Sequence, residues 1–92
     1  MKTVYDDIFK AIEDDPAVAE NLRLRAQMMA LLRDTIKAKG LTQTAAAKLF
    51  GVTQPRISDL TRGKIERFTI DMLVNMLARG GIFLDLGLKR AA

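Results

Sequence analysis

The sequence contains no cysteine and no histidine. The first absence excludes disulfides, thiol nucleophiles and thiolate metal sites. The second removes the side chain that most often acts as a general base near neutral pH and the commonest transition-metal ligand. Any enzyme built from this chain would have to work with Asp, Glu, Lys or Ser alone. No glycine-rich phosphate loop is present either, since the pair Gly80-Gly81 lacks the spacing of one. The expectation is a protein without catalytic residues, metal site or cofactor. Tryptophan is absent and a single Tyr accompanies four Phe. The core must therefore come from the Leu, Ile, Val, Met and Ala that dominate the 49% hydrophobic content, as in helical domains. No stretch is long and apolar enough to cross a bilayer, and no charged, apolar and small-residue leader opens the chain, so a cytoplasmic protein with no membrane partner is expected. The 92 residues suffice for one small domain of modest stability, which oligomerisation would raise.

The charge is unevenly placed. Residues 1 to 20 carry two bases against six acids, a net −4, whereas residues 21 to 92 carry thirteen bases against five acids, a net +8. A basic body favours a polyanion, because binding releases condensed counterions, although a merely soluble surface can look similar.

Helical periodicity organises most of the chain. Residues 1–15 read as an acidic helical arm, with a helix over Thr3–Asp14 that places Tyr5, Ile8, Phe9 and Ile12 on one stripe. Three turns are marginal alone in water, so this stripe must pack on its own body, on a second copy or on another protein. Residues 16–92 form the domain proper. Asp15-Pro16 is a helix start, and the chain then runs without Gly or Pro to Lys39, with Val18, Leu22, Met29, Leu32 and Ile36 in helical register and Met28 and Leu31 broadening the stripe. Gly40 ends this helix. Arg23, Arg25 and Arg33 along it read as solvated or phosphate-reaching.

The central stretch is Gln43 to Arg62, QTAAAKLFGVTQPRISDLTR. Ala46, Ala47, Phe50, Val52, Ile57 and Leu60 fall at the spacing of a helix-turn-helix. Ala47 is small where two steeply crossing helices approach, and Gly51 stands at the corner. Thr42 and Thr53 are N-caps, and Pro55 lies within a first turn, where no N–H donor is needed. With Ile57 and Leu60 inward, Pro55, Ser58, Asp59 and Arg62 are expected to face outward, flanked by Gln54 and Arg56. A Gln there can bond adenine N6 and N7, and an Arg can bond guanine O6 and N7 or a phosphate. Lys64 and Arg67, in the loop after Gly63, are placed to meet backbone phosphate. A plain helical hairpin is the competing reading of the same pattern. Phe68 and Thr69 read as staple and cap of a further helix, Ile70 to Arg79, with Ile70, Leu73, Val74 and Leu77 inward. The tail alternates Ile82, Leu84, Leu86 and Leu88, the period of a strand. Such a strand needs a partner, so these residues are expected to pair antiparallel with a second copy across a dimer interface; an extended tail lying on the core is the alternative.

Taken together, LTQTAAAKLFGVTQPRISDLTRGK, a loop, FTIDMLVNMLARGG and a terminal strand resemble the small helix-turn-helix regulators of the xenobiotic response element (XRE) family, relatives of the phage repressors, from about Ala17 to Lys89. Within that family the chain looks most like single-domain antitoxins of the host-inhibition-of-growth type, which accompany a ribosome-dependent messenger-RNA-cleaving toxin. The resemblance implies an all-α, five-helix lambda-repressor-like DNA-binding domain plus the C-terminal strand, a homodimer on a palindromic double-stranded operator, and repression of its own operon. By position it implies that Gln43 and Thr53 touch phosphate and that Gln54, Pro55, Arg56 and Asp59 face bases. Pro55 departs from the hydrogen-bonding residue usual in phage repressors and leaves only apolar contact, while Asp59 could accept from cytosine N4. The acidic arm, through Tyr5, Ile8, Phe9 and Ile12, is the surface a basic toxin would engage. Two alternatives stand beside this reading: a stand-alone repressor without a toxin, and a protein-interaction module that no longer binds DNA.

Overall fold

The computed structural model describes residues 14–91. Apart from Asp14, the helix expected over Thr3–Asp14, with Tyr5, Ile8, Phe9 and Ile12, lies outside the described residues. Those described form α1 (Pro16–Lys39), α2 (Gln43–Phe50), α3 (Gln54–Thr61), a 3-10 turn (Ile65–Arg67) and α4 (Ile70–Arg79). The domain is helical, with four α-helices and no strand among the described residues. The expected five-helix count and the C-terminal strand are not found there.

Each helix begins on a side-chain cap. The Asp15 carboxylate accepts from the Ala17 N–H at 2.9 Å, and the hydroxyl oxygens of Thr42, Thr53 and Thr69 accept from the N–H groups of Ala45, Arg56 and Met72 at 3.1, 3.4 and 3.2 Å. Each bond satisfies one amide that the helix itself leaves free. The ends are equally uniform. Leu41, Val52, Lys64 and Ile82 donate their N–H back five positions, to the carbonyls of Ile36, Ala47, Asp59 and Leu77, at 2.9 to 3.0 Å. Three of these closing residues, Leu41, Val52 and Ile82, also pack on the core, so the turns that end helices are tied to the interior.

The core gathers Met28, Met29 and Leu32 from α1, Ala46, Ala47 and Phe50 from α2, Ile57 and Leu60 from α3, Leu73, Met76 and Leu77 from α4, and Phe68 just before α4. α1 lies against α4 and the 3-10 turn, and α2 is sandwiched between α3 and α4. Two stripe assignments change. Leu31 is 40% exposed and Val74 is 37% exposed, while Met76 is 1% exposed. On α4 the buried line runs through Leu73, Met76 and Leu77, the i, i+3, i+4 pattern, and Val74 stands about 100° from its start.

The tail also departs from expectation. Beyond the Ile82 N–H bond to Leu77, residues 83–91 take part in no backbone hydrogen bond among the described residues, and Phe83, Leu86 and Leu88 are 78%, 84% and 88% exposed. An extended segment becomes a strand only when a neighbour takes up its N–H and C=O groups, and the other elements among the described residues are helices. No helix among the described residues is long and apolar enough to cross a membrane.

Gly80 has a packing role that punctuation alone does not reveal. A Cβ there would lie 2.5 Å from Cε1 of Phe50, whose side chain is wholly buried. Gly80→Ala should therefore lower stability by about 1–3 kcal/mol through overpacking. Urea denaturation of wild type and variant measures this, and an unchanged midpoint would show that the ring yields freely.

Candidate nucleic-acid interface

α2 and α3 are eight residues each, and the corner between them is Gly51 at φ 70°. An L side chain at that angle is strained by roughly 1–2 kcal/mol. An added Cβ would also meet Arg79 Cδ at 2.6 Å. The corner turns α3 so that Ile57 and Leu60 are wholly buried. Their burial decides which residues look outward. With the exposed direction centred on Ser58, the arc within about 60° either side holds Gln54, Pro55, Ser58, Thr61 and Arg62. All of these are exposed except Ser58, which is partly so. Thr61 was not among the expected residues. Its Oγ1 donates to the Ser58 carbonyl at 3.1 Å, leaving the hydroxyl oxygen free to accept.

Two expected base-facing residues turn elsewhere. Asp59 is not outward but 8% exposed, about 100° around the helix from Ser58, and its Oδ1 accepts from Arg67 Nη1 at 3.0 Å with Arg62 Nη2 at 3.6 Å. The carboxylate neutralises two loop-side cations instead of presenting itself to solvent. Arg56 lies on the side of α3 opposite Ser58. Its Nη1 donates to the Arg67 carbonyl at 3.0 Å, and its guanidinium sits 5.5 Å from the centre of the Phe68 ring. Asp59 and Arg56 thus hold the two ends of Arg67, side chain and carbonyl, and fix the 3-10 turn against α3.

The remaining expected residues are disposed around the arc. Thr53 is exposed at the start of α3, and its hydroxyl, accepting from Arg56 N–H, retains a proton to donate. Gln43 is exposed at the start of α2, and Lys64 is half-buried just past the end of α3. Neither Lys48 nor Lys64 takes part in an ion pair among the described residues. From Thr42 to Arg67 the sequence carries five bases against two acids, a net +3, of which Arg62 and Lys64 stand at the end of the arc and Arg56 faces away from it.

The arginines of α1 are structural. Arg25 Nη1 donates to the carbonyls of Ile65 and Phe68 at 3.0 and 3.3 Å, and Arg33 Nη1 donates to the Leu60 carbonyl at 3.3 Å. The Leu60 and Ile65 carbonyls already accept backbone N–H groups from Gly63 and Phe68, so these arginine bonds are second ones that tie α1 to the end of α3 and to the 3-10 turn. Arg23 is instead held by Glu20 three residues away on the exposed face of α1, and this hydrogen bond keeps the Glu20 carboxyl below its ordinary range.

Asp59 and Arg67 should couple. Because Arg67 is half-exposed, a double-mutant cycle over Asp59→Ala and Arg67→Ala is expected to give a coupling of about 1 kcal/mol in unfolding free energy. Additive effects would mean that the pair does not hold the turn.

The model of the helix-turn-helix domain matches residues 11–89. The match covers the corner at Gly51, the arc on α3, the turn after it and most of the tail. No curated protein matches the chain. The matched span is most of the 92 residues, and the chain belongs to the helix-turn-helix domain family.

Proposed function

We propose that the chain is a sequence-specific transcription regulator of the XRE type that binds double-stranded DNA as a homodimer and represses transcription. One observation carries this reading: α3, fixed by buried Ile57 and Leu60, presents Gln54, Pro55, Ser58, Thr61 and Arg62 on one face, with Lys64 just past its end. A helix of this kind fits the major groove, where Gln54 can bond adenine through N6 and N7 and Arg62 can reach guanine or phosphate. Pro55 offers an apolar contact suited to a thymine methyl. Thr53, Gln43 and Lys64 lie where backbone phosphates flank an inserted helix, and such contacts set register without reading sequence. Two copies joined through residues 82–88 would place two such helices on half-sites about 34 Å apart or a multiple of it, which calls for a palindromic operator.

The acidic arm supports a second, linked role. With a net −4 in residues 1 to 20 against +8 in the remainder, the same protein serves as the antitoxin of a type II pair. It would engage a basic RNA-cleaving toxin through Tyr5, Ile8, Phe9, Ile12 and neighbouring carboxylates and repress the operon that encodes both.

Binding to duplexes from the region upstream of its own gene, followed by fluorescence anisotropy, separates the contributions. Gln54→Ala should weaken the specific duplex by about 1–3 kcal/mol and leave a scrambled duplex unaffected. Lys64→Ala should weaken both alike and reduce the salt slope by about 1. Equal loss on both duplexes for Gln54→Ala would remove base reading by that residue. Deleting residues 1–15 should abolish association with the product of the adjacent toxin gene while leaving DNA affinity within about twofold, since none of the residues proposed to contact DNA lies in that segment. Unchanged toxin association would remove the antitoxin role.

A further inference from the structure

Gly87 is unexplained by the chain that carries it. Its φ is not in the left-handed region, and an added Cβ would meet nothing within 4 Å. Neither backbone conformation nor packing within one molecule requires a residue without a side chain there. It sits in the exposed tail, between Asp85 and Lys89, the nearest acid and base on either side of it.

In an extended segment, side chains alternate between faces, so Leu84, Leu86 and Leu88 share one face and Asp85, Gly87 and Lys89 the other. A two-fold axis normal to an antiparallel ribbon keeps the leucine faces of both copies on the same side. The axis must then pass a residue position, where that residue meets its own copy, and only a few registers are open. An axis at Asp85 sets like charges opposite each other, which destabilises a cross-strand pair. An axis at Leu86 leaves Asp85 opposite the partner's Gly87 and Lys89 opposite the partner's Phe83. An axis at Leu88 sets Lys89 opposite the partner's Gly87 and Leu86 opposite the partner's Arg90. An axis at Gly87 sets Asp85 opposite the partner's Lys89, and by symmetry this pair forms twice, while Leu86 meets the partner's Leu88 and Leu84 the partner's Arg90; it is the one of these registers that pairs opposite charges.

We propose that the tail is an interaction surface for a second copy of this chain, paired antiparallel about Gly87, with Asp85 and the partner's Lys89 forming two equivalent cross-strand ion pairs. This deepens the dimeric reading above and rests on it. The bare centre at Gly87 leaves the axis clear of side chains, and the flanking charges select the register. The six leucines of the two copies share one face, with Leu86 and Leu88 of both copies at its centre and an Arg90 opposite Leu84 at each end. The unpaired N–H and C=O groups of residues 83–91 become the ladder of that ribbon.

Because the chain has no cysteine, introduced thiols report register without background. Directly opposed residues in an antiparallel pair have Cα atoms about 4.5 to 5.5 Å apart, within disulfide range. Full-length Asp85→Cys and Lys89→Cys proteins, carrying different mass tags, are mixed and oxidised. The mixed disulfide should exceed either self-linked species. In sedimentation measurements Asp85→Lys should weaken dimerisation about tenfold, and the exchanged pair Asp85→Lys with Lys89→Asp should restore it. A dimer that instead cross-links through Leu86→Cys alone, or that tolerates Asp85→Lys unaided, keeps the dimer and overturns this register. A wild-type chain that sediments as a monomer throughout removes the dimer itself and the register with it. DNA binding by α3 would then still be decided by the duplex experiments.

Discussion

The orientation of α3 is the constraint on which the rest of the structure depends. Eight residues cannot hold a helix in water by themselves, because nucleation is costly and two turns return few hydrogen bonds. What holds this one is the complete burial of Ile57 and Leu60 against a core supplied chiefly by α1, α2 and α4. Each of those side chains contributes about 1.5–3 kcal/mol by leaving water. Rotating α3 about its axis would expose them, so the identity of the outward residues follows from two apolar positions inside. The polar arc is a consequence of core packing.

Around that helix the chain devotes a set of arginines to backbone instead of solvent. Arg25 and Arg33 reach from α1 to the carbonyls of Leu60, Ile65 and Phe68, and Arg56 reaches the carbonyl of Arg67. Each guanidinium carries several donors in a rigid fork, and each carbonyl oxygen has a second lone pair to accept one of them even where a backbone N–H already bonds it. Asp59 is the counterpart on the acidic side. Buried beneath two arginines, it brings the loop after α3 to a fixed place, and with it Arg62 and Lys64. The two cations at the end of the arc are therefore held by the same network that seats the helix.

Much of this was legible in the sequence, for identifiable reasons. Caps and corners are local chemistry: Asp15-Pro16, Thr42, Thr53 and Thr69 begin helices because their side chains bond the amides two or three residues on, and Gly40 and Gly51 end them because the chain must turn left-handed there. The apolar positions of α2 and α3 were also legible, since short amphipathic helices leave little choice. The misread positions are those where helical spacing fixes an angle but not the neighbour across it. Asp59 lies at the border of the arc, and only the position of Arg67 shows that it turns inward. Arg25 and Arg33 look like solvent-facing charges until the carbonyls opposite them are known. Val74 and Met76 compete for one stripe, and the crossing of α4 on α2 decides between them. Gly80 resembles a helix stop, yet the Phe50 ring beside it is what excludes a side chain. The alternation of the tail reads as a strand, which is not found among the described residues, since pairing needs groups that one chain does not provide.

The central claim is that the arc on α3 is the surface that meets DNA. Amide chemical-shift mapping tests it most directly: isotope-labelled protein is titrated with a duplex taken from upstream of its own gene and with a scrambled duplex of equal length. The account predicts that the largest specific shifts fall on residues 53–62, with weaker, sequence-independent shifts at Gln43 and Lys64 and little change along the outer face of α1. Specific shifts confined to α1 and the tail, with residues 53–62 unmoved, would contradict it.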